Sequence, residues 1–218
     1  MNPIQAILFD YGQVLSGPPD PAAWQRLRSI SRLPEEALHS AYWAYRHDYD
    51  RDTLNASTYW PMVAAHARTA FSSEQITELI AADVDLWSQL NAPMVNWAQS
   101  LQRAGVRTGI LSNIGDAMTA GLTAKFGWLH SFDHCTWSYA LKLAKPEQAI
   151  YVCAAEGLKT APANILFIDD KAENIEAARS VGMEGIQYHY ADHTAFEQQL
   201  NALDLGYLLR PTPQPSGA

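Results

Sequence analysis

The stretch Ile7-Leu8-Phe9-Asp10-Tyr11-Gly12-Gln13-Val14-Leu15 decides how the rest of the chain reads. Together with Ile4 and Ala6, its first three residues form a short, nearly continuous apolar run, the pattern of a strand covered on both faces in a parallel sheet. The run ends in a carboxylate, Asp10, and Gly12 follows closely. An acidic group therefore stands where a buried strand gives way to a loop whose backbone can approach a ligand. In open α/β sheets ligands bind at that end of the strands. Taken alone, Asp10 could equally cap the next turn; the pattern farther along the chain weighs between the two.

Working outward, Ser16-Gly17-Pro18-Pro19-Asp20-Pro21 is a run of breakers and predicts a loop. From Ala22 to about Trp87 no strand-like run occurs, and Trp24, Leu27, Ile30, then Leu38, Tyr42, Tyr45, then Ile76, Leu79, Ile80, Val84 recur at helical spacing. This predicts an all-helical insertion. Strands and helices alternate after Asn91-Ala92-Pro93: a helix through Met94, Trp97 and Leu101 stopping at Gly105, then a strand over 106–111 ending in Ser112-Asn113. A helix over 116–126, a short strand near 134–137 and a helix opened by Lys145-Pro146-Glu147 come next. A strand over 165–168 then ends in Asp169-Asp170, and a helix over 174–181 leads to a last strand over 185–188. The alternation predicts an α/β fold: a Rossmann-like parallel sheet sandwiched by helices, with an α-helical cap inserted after the first strand. Residues 1–17 and 89–210 are expected to form the core and 18–88 the cap. Residues 211–218 are expected to form a loosely ordered Pro-rich tail.

Of the 218 residues, 48% are apolar and 17% charged, an ordinary globular balance. Fifteen basic against twenty-three acidic side chains give a formal charge of −8, so a nucleic-acid partner, which needs a basic face, is not expected. Neither a secretion signal nor a stretch long enough to span a bilayer is read in the sequence, and a cytoplasmic protein is expected. Cys135 and Cys153 have no metal-type spacing and read as reduced, buried thiols. Oligomeric state has no readable signal.

If the strands are parallel, Asp10, Ser112-Asn113, Lys145 and Asp169-Asp170 converge on one edge of the sheet. A nucleophilic carboxylate, a hydroxyl, a lysine and an acidic pair are the groups that phosphoryl transfer through an aspartyl phosphate requires. Asp10 and the acidic pair could share Mg²⁺, a hard cation held by one or two carboxylates plus substrate phosphate. Without it, these carboxylates would repel a phosphate. Lys145 would hold Asp10 and phosphate oxygens as a point charge, and the Ser112 hydroxyl with nearby backbone N–H groups would meet the oxygens of the transferring group.

The arrangement resembles the haloacid dehalogenase superfamily, in particular its phosphatase-like members with a helical cap after the first strand. Residues 9–15 match the first motif, Leu111-Ser112-Asn113 the second, Lys145-Pro146 the third and residues 167–174 the fourth, all in the family order. The resemblance implies that Asp10 is the nucleophile and that Ser112 and Lys145 assist it. It implies that Tyr11, Gly12, Ser112, Asn113 and Lys145 bind a small phosphorylated substrate. Asp10, the Gly12 carbonyl and Asp170 would bind Mg²⁺, with Asp169 a ligand through water or a group behind the ligands. Gly12 departs from the pattern, since phosphatase relatives normally carry there a second Asp that protonates the leaving oxygen and then activates water, help worth about 10² to 10⁴ in rate.

Two other readings follow from that glycine. A metal-independent 2-haloacid dehalogenase uses the same aspartate and needs no such acid because halide leaves without a proton; Tyr151 occurs in those relatives and in many phosphatase ones. Against it stands the acidic pair, which favours a cation. A non-catalytic binding protein is the other reading, opposed by the joint presence of Asp10, Lys145 and Asp170. In the insertion, Tyr42, Trp43, Tyr45, Tyr49, Tyr59 and Trp60 read as the core of a small bundle or as a lid over the site. Arg46 among them reads as a solvated helix charge rather than an anion contact. His189 and His193 lack a third ligand for a zinc site, and Lys142 reads as an exposed loop residue, Lys145 being distinguished by the proline after it.

Overall fold

The computed structural model describes residues 3–211. Five parallel strands, β1 (Ala6–Phe9), β2 (Arg107–Ser112), β3 (His134–Trp137), β4 (Ile165–Asp169) and β5 (Glu184–Gln187), form one sheet in the order β3-β2-β1-β4-β5. β1 is central because its run is apolar on both faces: Ala6, Ile7, Leu8 and Phe9 are all fully buried. Phe9 pairs in register with Ile110 of β2 and Ile168 of β4, so the residues that follow these three strands leave the sheet side by side.

Five helices lie between β1 and the next core element: α1 (Pro21–Ser31), α2 (Glu35–Ala44), α3 (Arg46–Asp50), α4 (Ala56–His66) and α5 (Ser73–Leu86). Asn55 caps α4 and Ser72 caps α5 with reciprocal capping boxes that satisfy the first backbone donors. Leu27, Leu38, Tyr42, Tyr59, Trp60 and Leu79 give this layer its own apolar core. Entering and leaving chain are tied together at its base, where Gly17 N–H donates to the Gln89 carbonyl at 2.7 Å and Asp20 N–H to that of Leu86 at 2.8 Å.

The sheet is covered by α6 (Ala92–Arg103), α7 (Asp116–Lys125), α9 (Gln148–Gly157), α10 (Ala172–Ser180) and α11 (His193–Ala202), with a single turn α8 (Ser138–Leu141) after β3. The helix expected to open at Lys145 begins only at Gln148, because Glu147 holds an extended backbone (ψ 127°) and its side chain accepts from Ala144 N–H at 3.0 Å. Helix α11 is a further addition to the sequence reading: Asp192 caps it, and Phe196 and Leu200, one turn apart, bury its inner side. Cys135 and Cys153 are free, and both are partly rather than wholly withdrawn from solvent. No helix among the described residues is long and apolar enough to cross a membrane. Apart from Pro211, the Pro-rich tail expected at 211–218 lies outside the described residues.

Candidate active site

Asp10 follows β1 directly and is 7% exposed. Its Oδ1 accepts from the Tyr11 backbone N–H at 2.7 Å and lies 2.8 Å from Lys145 Nζ. Lys145 reaches it from the loop before α9, and the same Nζ donates to Asp169 Oδ2 at 2.6 Å. One ammonium thus bridges the ends of β1 and β4. Asp169 is fully buried, and its other oxygen accepts from Lys171 N–H at 2.8 Å and Asn174 Nδ2 at 2.9 Å. Asp170 is partly exposed and accepts from Gln13 Nε2 at 2.9 Å through Oδ2.

Carboxylate oxygens of Asp10, Asp169 and Asp170 come within 4.8 Å of one another. Three acids face one lysine, and burial compounds the repulsion. Burial pushes the Asp10 carboxyl up to about 7; Lys145 opposes the rise, and Asp169 and Asp170 add to it. Asp170 is raised by burial and by Asp169. Lys145 loses from burial but is held above its ordinary range by Asp10 and Asp169. The donor set is all hard oxygen, and Asp10 Oδ2 and Asp170 Oδ1 accept no hydrogen bond among the described residues. That set suits a cation such as Mg²⁺, which is held by one or two carboxylates and keeps several other oxygen ligands.

Ser112 ends β2 and is 4% exposed; its hydroxyl has no hydrogen-bond partner among the described residues and lines the same cavity as Asp10. Asn113 has its side-chain amide committed to Lys145, accepting from the backbone N–H at 2.8 Å and donating to the carbonyl at 3.0 Å. Tyr11 also lines the cavity, but its hydroxyl donates to the Trp87 carbonyl at 3.1 Å. At Gly12 (φ −65°, ψ 125°) the backbone suits any residue, and the nearest atom to a Cβ built there is on the Trp87 ring at 3.8 Å. The next residue, Gln13, takes the left-handed φ of 58°.

The cavity encloses about 360 Å³ and is closed on one side by the helical layer through Trp43, Arg46, His47, Asp50 and Trp87. Of the aromatic cluster, Tyr42, Tyr49, Tyr59 and Trp60 are buried within that layer, while Trp43 is 44% exposed. Arg46 corrects the sequence reading of a solvated charge. It is 8% exposed, pairing with Asp50 and with Asp83, each at 3.1 Å. Burial lifts the Asp50 carboxyl to about 6 although Arg46 opposes it. The sequence assigns no separate role to Gln13 or Asn174; Asn174 stands five residues after Asp169, where a strand-to-helix turn brings it back on the carboxylate. Lys142 is exposed and 3.5 Å from Asp52, and His193 packs on Tyr188 with ring centroids 6.0 Å apart.

The parallel sheet thus gathers a lysine-paired carboxylate and an acidic pair on the C-terminal edge of its strands. The chain belongs to the haloacid dehalogenase-like hydrolases, whose sequence signature matches residues 4–182. It is 25% identical over 197 residues to an (S)-2-haloacid dehalogenase of Pseudomonas sp., covering 86% of this chain and 85% of that one. A phosphatase of Mycobacterium tuberculosis is 26% identical over 184 residues, covering 83% and 85%. In fold, it is similar to a haloacid dehalogenase-family enzyme of Bacteroides thetaiotaomicron solved with magnesium and inorganic phosphate. That comparison has a TM-score of 0.69 and 20% identity, covering 84% of this chain and 93% of the other.

Proposed function

We propose that this chain is a Mg²⁺-dependent phosphatase that hydrolyses a small phosphomonoester through a phosphorylated Asp10. Helices α1–α5, within residues 18–88, act as its cap over a core of residues 1–17 and 89–210. The observation that carries the reading is the acidic triad, with carboxylate oxygens within 4.8 Å of one another against a single lysine. Such an excess of negative charge repels any anionic substrate unless a hard cation is shared.

Asp10, the Gly12 carbonyl and Asp170 would hold the ion, with Asp169 behind them. Bound there, Mg²⁺ would supply charge neutralisation and polarise a phosphoryl oxygen. The Asp10 carboxylate attacks phosphorus, the ester P–O bond breaks with its electron pair passing to the alcohol oxygen, and water then releases phosphate from Asp10. Lys145 fixes the orientation of Asp10 and meets phosphate oxygens. Ser112, whose hydroxyl is unengaged, donates to the transferring group, a contact worth about 10² to 10³ in rate at comparable sites.

Gly12 favours a second reading, halide displacement by the same aspartate, and the similarity to a dehalogenase belongs with it. Phosphate release from p-nitrophenyl phosphate and halide release from 2-chloropropionate, each with Mg²⁺ and with a chelator, separate the two. The phosphatase reading expects phosphate release that disappears with the chelator. Metal-independent halide release overturns it, and no turnover of either substrate points to a binding protein.

A further inference from the structure

The polar lining of the cavity comes from the strand ends with the turns after them and, in the helical layer, from Arg46, His47 and Asp50; Trp43, Trp87, Ile114, Met118 and Leu122 line it with carbon. We infer that the alcohol released by this enzyme is apolar, an alkyl or aryl group rather than a sugar, polyol or nucleoside, lodged in a slot formed by Trp43, Trp87, Ile114, Met118 and Leu122. The inference rests on the phosphatase reading for its phosphate and on the slot alone for its leaving group.

Met118 and Leu122 stand one turn apart on α7, so the apolar wall runs at least about 5.4 Å along that helix. α7 is locked against α5, since a Cβ at Gly121 would lie 2.5 Å from Val84, which fixes the wall rather than leaving it to adapt. Slot and carboxylates are continuous: Trp87 is the nearest neighbour of the Gly12 Cβ position, two residues beyond Asp10.

The polar atoms of Trp87 and Tyr11 along the wall are already used. Trp87 Nε1 donates to the Tyr42 hydroxyl at 3.3 Å and the Tyr11 hydroxyl donates to the Trp87 carbonyl. Against Ile114, Met118 and Leu122 the hydroxyl groups of a sugar would lose their water and gain no partner. A second anionic group is no better served. Arg46 is shared between Asp50 and Asp83, so that cluster carries no net positive charge. Lys171 belongs to the carboxylate end, next to Asp170, and His47, the other polar side chain of the helical layer there, is exposed.

The test is calorimetric binding of methyl-, butyl- and octylphosphonate to the Mg²⁺-loaded protein, alongside kcat/KM for the matching alkyl phosphates and for glycerol phosphate against propyl phosphate. An apolar slot predicts affinity rising up to about fourfold for each methylene it buries, hence roughly tenfold or more from methyl to butyl. It also predicts propyl phosphate preferred to glycerol phosphate. Leu122→Gln should flatten the series, and Trp43→Ala, at a half-exposed position, should weaken the butyl and octyl members without affecting methylphosphonate. A flat series in the wild-type protein, or a preference for glycerol phosphate, overturns the inference whatever the variants do. Affinity that climbs with chain length while no ester is hydrolysed leaves the slot standing and overturns the phosphatase reading. Hydrolysis without chain-length dependence does the reverse.

Discussion

Asn113 holds Lys145 by both backbone polar groups, accepting from its N–H at 2.8 Å and donating to its carbonyl at 3.0 Å, across 32 residues of sequence. The end of β2 thereby sets where the lysine leaves its loop, and Lys145 Nζ in turn spans Asp10 and Asp169. Removing the amide should loosen the lysine without removing it. Asn113→Ala is expected to cost about 2 kcal/mol of stability, for two hydrogen bonds at roughly 1 kcal/mol each. It should lower kcat at least tenfold with little change in KM. Chemical denaturation and steady-state kinetics check both; unchanged kcat would show that Lys145 needs no such anchor.

The elevated Asp10 carboxyl makes the metal-free protein sensitive to pH in a particular direction. Its folded value is about 7 against an ordinary 3.8, so between those limits the folded state holds a proton the unfolded chain has lost. Stability contributed by this group therefore falls as pH rises from about 4 to about 7 and is level above, by at most about 1.4 kcal/mol per pH unit. Melting temperatures in chelator should show this decline in the wild-type protein relative to Asp10→Asn, which has no such group to titrate. Added Mg²⁺ should remove the difference, and Asp10→Asn should be inactive on every substrate.

Arg46 links α3 to α5 through Asp83 from a buried position. Replacing it with an uncharged residue strands Asp50 and Asp83, and breaking a buried pair in this way costs about 3–5 kcal/mol. Arg46→Met should lower the denaturation midpoint accordingly, whereas Arg28→Met, whose partner Glu35 is on the exposed surface, should shift it by less than about 1 kcal/mol. Equal effects of the two would mean that the buried network does not hold the helical layer.

At position 12 the backbone accepts a side chain and nothing stands closer to it than the Trp87 ring at 3.8 Å. Gly12→Asp should place a carboxylic acid where a leaving alcohol needs a proton. On alkyl phosphates, whose alcohols leave poorly, the rate should rise by about 10². On p-nitrophenyl phosphate, whose phenolate leaves unaided, it should change little. A uniform effect on both substrates would mean that proton transfer does not limit turnover.

The middle of the sheet is readable because its three central strands announce themselves twice, as an apolar run and by the polar residue that ends it: Phe9 before Asp10, Leu111 before Ser112, Ile168 before Asp169. Parallel alignment then brings those endings together without further information. Arg46 reads as solvated from sequence because nothing in its own neighbourhood reveals Asp83, 37 residues away on another helix. Asn113 and Asn174 lie within the motifs, yet that their amides hold Lys145 and Asp169 depends on turn geometry that residue type alone does not specify. Helix α11 carries its cap at Asp192 and its spacing at Phe196 and Leu200, a signal confined to two large apolar residues in ten.

The central place of β1 has a consequence for how the protein is made. Ala6 pairs with Arg107 on one side and Ile165 on the other, so the strand that carries Asp10 leaves the ribosome long before either neighbour exists. At about 5–20 residues per second the second partner arrives roughly ten to thirty seconds later. During that interval helices α1–α5, whose contacts are largely among themselves, can assemble on their own core while the first strand waits with both edges open. The residues most exposed to nascent-chain aggregation are therefore those of a strand that is fully buried in the finished protein.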